Sequence, residues 1–285
     1  MKRLGRLLPQ RVPAAEPLAV ALLDHFRDGR PRRVTALRAD GVEFEIETEE
    51  YFTLEGELAR LDDLALEHAR GRVLDVGAGA GRHALALQAK GCEVVAIDVS
   101  PTCVALCRER GVLDVRELDV MTLAARGRPE VAASPEQAEA LGRFDTIFFG
   151  MQTLGVAGGV VPLRRLLVGL RGLLRPGGAV IADSSALREA WDGDESDRSA
   201  ARGEIVLATR YRKLRGEPFP WLYLAEADLA AVADEAGFAV ETLGRVEGGE
   251  YLVRMTAKDG SAAGGTAEGG GGAGAEAASA EGAKR

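Results

Sequence analysis

RVLDVGAGAGRHALALQAKGCEVVAID, residues 72–98, runs from an apolar stretch through three glycines into an amphipathic one and back to a second apolar stretch that ends in an acid. Both apolar stretches are short and valine-rich, which suits strands buried on two faces, and the spacing between them predicts a helix over 81–90. A strand, a crossover helix and a second strand form a parallel unit whose connection is right-handed. The alternation continues with helical spacing over 100–110, then VREL, then FDTIFF followed by helical spacing over 161–174, then AVIAD. The fold class is therefore α/β, a Rossmann-like doubly wound and mostly parallel sheet. Ligands on such sheets lie beyond the carboxyl ends of the strands near the switch point, and the glycine loop stands at such an end.

Outward from this core, AEADLAAVADEAGF reads as an amphipathic helix ending at Gly237. AVETLGRV and EYLVRMTA flank Gly248-Gly249 as an antiparallel C-terminal hairpin. Near the N-terminus, Glu16 to Phe26 has helical apolar spacing, and RVTALRADGVEFEIET alternates around Asp40-Gly41, a tight-hairpin signature. The organisation expected is an N-terminal helix and hairpin over 1–53 acting as a substrate cap, then a main domain over 54–256. That domain carries insertions at 124–142 and 184–220, and a Gly/Ala-rich tail follows over 257–285. From Asp259 onward the tail has no large apolar residue, so it cannot offset its own ordering entropy and is expected to be disordered.

The 285 residues, 46% hydrophobic and 28% charged, can bury one large core beneath a wet surface. A formal charge of −8 without a Lys/Arg run argues against nucleic acid, DNA included, as a partner. Three cysteines, Cys92, Cys103 and Cys107, are too few and too clustered for a disulfide framework, so a cytoplasmic location is expected. PLAVALL is fenced by Glu16 and Asp24, and no other stretch approaches the ~20 apolar residues a span needs, so no membrane partner is expected.

The loop has the spacing Asp75-x-Gly77-x-Gly79-x-Gly81. A dinucleotide fingerprint would place its third glycine where Arg82 stands, and the Asp75 carboxylate would repel a pyrophosphate. Asp98 ends the second strand, where an ionised carboxylate can accept from both hydroxyls of a ribose. An acid ahead of the loop suits a cofactor that carries positive charge.

VLDVGAGAGRHALALQAKG, VVAIDVSP, VRELDVMTL, FDTIFFGMQTLG and LLRPGGAVIADS follow one another from about Arg72 to Asp183. In order and spacing they resemble the motifs of the class I S-adenosylmethionine-dependent methyltransferases. The resemblance implies a seven-stranded sheet with one antiparallel strand and S-adenosyl-L-methionine as cofactor. It implies that Asp75 senses the methionine amino group and that Gly77, Ala78, Gly79 and Gly81 let the backbone approach. Asp98 would hold the ribose diol with Val99 beside the adenine. Asp119 would accept from the adenine amino group, the Val120 N–H would face a ring nitrogen, and Gly150 and Met151 would close the far side.

A sulfonium methyl is already activated, so alignment supplies most of the acceleration and a base adds to it. Asp183, at the end of the fifth strand, is the candidate catalytic base, ahead of Tyr51 and His83; His83 reads more readily as a packing residue. Amino-methylating DNA enzymes of this fold carry an Asp/Asn-Pro-Pro-aromatic run where this chain has GMQT. Cys103 and Cys107 lack the third cysteine an iron–sulfur cluster needs, and no metal spacing is present. The substrate residues expected are Tyr51, Gln152, Arg210, Trp221 and Tyr223, with Phe52 and Arg212 nearby. The function expected is methyl transfer to an O or N atom of a small molecule. The alternatives are a protein or RNA methyltransferase, or a non-catalytic S-adenosylmethionine-binding protein.

Overall fold

In the computed structural model of the protein, the strand–helix alternation from residue 72 closes into one seven-stranded sheet. The structure describes residues 10–56, 59–125, 141–187 and 203–258. The tail from 259 and, within the expected insertions, residues 126–140 and 188–202 lie outside the described residues.

The parallel core comprises β4 (Arg72–Val76), β5 (Glu93–Asp98), β6 (Val115–Glu117), β7 (Phe144–Phe149) and β8 (Leu174–Ser185). The hairpin of β12 (Phe238–Arg245) and β13 (Glu250–Ala257) extends it, with β13 antiparallel to β8. Strand order is β12-β13-β8-β7-β4-β5-β6, so the chain winds outward one way from β4 and the other way from β7. The switch point therefore lies between β4 and β7, beside the glycine loop.

Alternation along the strands sorts the side chains into two layers. Leu74, Val76, Ile147 and Phe149 join the core beneath α5 (Val160–Arg171) and α6 (Glu226–Glu235). Val73, Phe148 and Ile181 join the opposite core, with α2 (Ala59–His68), α3 (Arg82–Ala89) and α4 (Pro101–Arg110). Asp75, Gly150 and Asp183, each two residues beyond one of those three, consequently face the α2–α3 layer at the carboxyl ends of the strands.

The N-terminal elements are β1 (Gln10–Val12), α1 (Glu16–Asp28), β2 (Arg33–Arg38) and β3 (Glu43–Glu47). β2 and β3 pair around Asp40-Gly41 as the alternation predicts. They do not form a unit of their own, however. β2 pairs antiparallel with β9 (Glu204–Tyr211), and β1 pairs with β10 (Leu214–Gly216). With β11 (Phe219–Leu222) on β9, this makes a second, six-stranded sheet. A boundary at residue 53 thus cuts through one hydrogen-bonded layer built from both ends of the chain. α1 joins it to the main body: Leu22 and Ala19 pack with Leu106 and Cys103 of α4, and Ala21 packs with Val34 and Tyr211 of the second sheet. Among the described residues no helix is long and apolar enough to cross a membrane.

Candidate active site

Asp75 ends β4 with 2% of its surface exposed, and its Oδ2 has no hydrogen-bond partner. Burial raises its pKa to about 6; His83 opposes the shift, the Asp98 charge adds to it, and the Ala84 N–H and Arg82 oppose it further. A buried carboxylate oxygen without a donor costs free energy unless a ligand supplies one. The loop above is shaped for close approach. Gly77 has φ +71, and a Cβ there would lie 2.5 Å from Thr153 Cγ2, so a side chain would both strain the turn and push the loop after β7 away.

Asp98 fixes the other wall. Its Oδ2 accepts from the Gly79 N–H at 2.9 Å and its Oδ1 from the Ser100 N–H at 2.8 Å. A carboxylate offers about four acceptor sites, so capacity remains beyond these two bonds and the Val99 N–H that also acts on it. Burial raises its pKa, while the N–H donors of Ser100 and Gly79 oppose the shift. Next to it Val99 is 57% exposed, an apolar surface at the mouth. Ala78 is half-buried and Gly81 precedes α3. Beyond β6, Val120 is buried while Asp119 is exposed, with its Oδ1 accepting from the Met121 N–H at 2.9 Å.

A buried charge network that the sequence reading missed underlies the loop. Arg82 Nη2 donates to both Asp62 oxygens at 2.8 and 2.7 Å, and His83 Nε2 lies 2.7 Å from Asp62 Oδ1. Arg82 Nη1 donates to the carbonyls of Glu50 and Thr53 at 2.6 and 2.7 Å, tying the N-terminal region to α3. The network's one trace in the sequence is Asp62, an acid among Leu61, Ala65 and Leu66 on the apolar stripe of α2, which names no partner by itself. The His83 ring stands edge-on to Phe148 with centroids 4.9 Å apart. A Cβ on Gly150 would meet its Cε1 at 2.5 Å, so only glycine lets the histidine sit there.

Asp183 is 5% exposed; its Oδ2 accepts from the Gln152 N–H at 2.9 Å, and its Oδ1 has no partner. Burial raises its pKa to about 6, against the Gln152 N–H and His83. Met151 and Gln152 have φ +55 and +57, consecutive left-handed non-glycine residues. Such strain is held here by the Asp183 bond and by Thr153 Oγ1 donating to the Gly150 carbonyl at 2.5 Å. Among the described residues no His, Cys, Asp or Glu cluster could hold a metal ion.

Residues 73–178 match a family described as a methyltransferase domain. A crystal structure of an S-adenosylmethionine-dependent methyltransferase from Bacteroides fragilis, in complex with S-adenosyl-L-homocysteine, is 33% identical with a TM-score of 0.73, over 88% of this chain and 98% of that one. The chain belongs to the S-adenosylmethionine-dependent methyltransferases. The CcbJ methyltransferase of Streptomyces caelestis shares the fold at 18% identity and a TM-score of 0.53, over 73% of this chain and 91% of that one. No curated protein matches the sequence.

In the methyltransferase, β11 of the second sheet packs on the Thr153–Ala157 turn that follows β7, with Trp221 against Gly155 and Pro220 against Gly158. Tyr51 lies against the loop, 3.3 Å from where a Gly79 Cβ would stand, and burial raises its pKa. Trp221 packs with Phe219, Tyr223 and Leu187, and its indole would meet a Cβ on Gly155 at 2.6 Å. Trp221 pairs across the strands with Ile205, so it shares the inner face with Ile205 and Leu207. Arg210 is not brought to this face. It pairs across with Thr35 on the outer one, where its Nη2 lies 3.4 Å from Glu43 Oε2. Arg212 is likewise paired, with Asp24 at 2.7 Å. Phe52 lies under the Arg110 guanidinium, 4.7 Å from its ring centroid.

Proposed function

We propose that this methyltransferase moves the methyl group of S-adenosyl-L-methionine to an O or N atom of a small molecule. The observation that carries the reading is the buried, unpartnered Asp75 Oδ2 behind the glycine loop, an acceptor that fits an ammonium donor such as the methionine amino group. The remaining residues suit the same ligand. Gly77, Ala78, Gly79 and Gly81 lie along its path, Asp98 would take the ribose hydroxyls on its free acceptor sites, and exposed Val99 would cover one adenine face. Asp119 and the Val120 N–H would meet the adenine edge, and Gly150 and Met151 the methionine side. The cofactor supplies a methyl on a positively charged sulfur, already activated for displacement.

The chain's own residues then position and deprotonate. Asp183 is the candidate base, and the strained Met151-Gln152 turn fixes it through the Gln152 N–H. Tyr51, Gln152, Trp221 and Tyr223 would shape the acceptor site beneath the second sheet, which excludes water and aligns the nucleophile. The −8 charge argues against DNA, and the three free cysteines fit the cytoplasm.

The test is transfer of labelled methyl from S-adenosylmethionine into metabolite, protein and RNA fractions of an extract. Label confined to the metabolite fraction supports the reading, and label only in protein or RNA contradicts it. For the acceptor wall, Trp221→Ala removes a large flat contact and should raise the acceptor KM about 10–100-fold, with S-adenosylmethionine affinity changed less than about twofold. Because the indole also packs on Gly155, stability should fall by about 2–3 kcal/mol in denaturant titrations. Unchanged acceptor kinetics would make Trp221 a packing residue only.

A further inference from the structure

Among the described residues, three buried carboxylate or amide oxygens around the carboxyl ends of β4, β7 and β8 have no hydrogen-bond partner: Asp75 Oδ2, Asp183 Oδ1 and Gln152 Oε1. All three are acceptors. The Ser185 hydroxyl, also unpaired, can accept as well as donate, and the unpaired donor Arg82 Nε belongs to a guanidinium already held by Asp62, Glu50 and Thr53. With Asp75 given to the cofactor, two acceptors remain on adjoining elements, Asp183 near the end of β8 and Gln152 on the turn after β7, tied together by the Gln152 N–H bound to Asp183 Oδ2. Asp183 also lines a small cleft against α2, walled by Leu61, Ala65, Phe148 and Leu252, with Asp62 as its second carboxylate. Asp62 has its countercharge in Arg82, whereas no Lys or Arg among the described residues pairs with Asp183. A buried carboxylate without an ion-pair partner is one that a cationic ligand stabilises in its ionised form.

We propose that the methyl acceptor is an amine, bound as its ammonium with one N–H directed to Asp183 Oδ1 and a second to Gln152 Oε1. A hydroxyl offers a single donor and no charge, and would leave one of these acceptors and the carboxylate uncompensated. The inference rests on the methyltransferase reading above. In the reaction the ammonium gives one proton to Asp183, and the freed nitrogen lone pair forms the new N–C bond as the C–S bond breaks. The bonding pair stays on sulfur, which becomes a neutral thioether. The product leaves as a methylated ammonium, and Asp183 returns its proton to solvent.

The test uses the intact protein, labelled S-adenosylmethionine and the small-molecule fraction of an extract divided in two. One half is treated with formaldehyde and cyanoborohydride, which converts primary and secondary amines to tertiary ones and leaves hydroxyls untouched. The expected result is at least a tenfold loss of label in the treated half, with the product of the untreated half retained on a cation exchanger at neutral pH. Label that survives the treatment, or a neutral product, overturns the amine assignment. Asp183→Asn keeps an acceptor for the Gln152 N–H but removes the base. It should lower kcat with the untreated fraction about 100-fold or more, while calorimetric affinity for S-adenosylmethionine stays within about twofold. An unchanged kcat overturns the role of Asp183. A protein that binds S-adenosylmethionine and labels only hydroxyl compounds keeps the methyltransferase reading and loses this one; a protein that does not bind it loses both.

Discussion

Asp62→Ala is expected to cost the fold about 3–5 kcal/mol, because it strands a buried guanidinium. The Arg82 and Asp62 side chains are only 7% and 9% exposed, and two of the guanidinium's four hydrogen bonds go to Asp62. His83 loses its partner in the same step. The consequence reaches the proposed cofactor site, since Arg82 also holds the carbonyls of Glu50 and Thr53 and thereby keeps Tyr51 against the Gly79 turn. Urea titration of the variant reads the stability change. A double variant, Asp62→Leu with Arg82→Met, should recover part of the loss, since apolar replacements leave no buried charge uncompensated. A loss below about 1 kcal/mol in Asp62→Ala would mean that water reaches Arg82 and that the network is no more than a surface pair.

Asp98→Ala should weaken S-adenosylmethionine binding by about 1.5–3 kcal/mol, roughly 10–100-fold in Kd, measured by calorimetry. Two effects act in the same direction. The variant loses the acceptor sites assigned to the ribose diol, and it frees the Gly79 and Ser100 N–H groups that the carboxylate now holds. Asp98→Asn separates them, because an amide oxygen can still accept from one N–H while the charge is gone. It should fall between alanine and wild type. Equal affinity in all three proteins would remove Asp98 from the site.

The proposed cofactor half of the site is local in sequence. Asp75, Gly77, Gly79 and Asp98 fall within one strand–helix–strand unit whose periodicity can be read directly, so their meeting at one strand end follows from pattern alone. The lid is not local. β2 and β9 pair across about 170 residues, and nothing in either stretch announces the other. Strand alternation puts Arg210 and Tyr211 on opposite faces of β9, but which face turns inward depends on where α1 and the Thr153–Ala157 turn press, and those contacts are tertiary. Asp62 was hidden for a related reason. A single acid on an apolar stripe gains meaning only when Arg82 and His83 arrive from another helix.

Proton release on binding reads whether the cofactor's positive end sits at Asp75. The Asp75 pKa is raised above the ordinary carboxylate range, to about 6, chiefly by burial, with Asp98 adding to the shift and His83 and Arg82 opposing it. The ionised form is therefore disfavoured in the free protein. The stability contributed by the protonated form is present at low pH and lost as pH rises from about 4 through 6. A cationic group placed at the carboxylate should restore ionisation, so S-adenosylmethionine binding at pH 6 should release about half a proton, falling to near zero above about pH 7.5. Calorimetric titrations in buffers of different ionisation enthalpy read this number. The prediction is release in wild type that disappears in Asp75→Asn, whereas tight binding with the same proton count in both proteins would contradict the assignment.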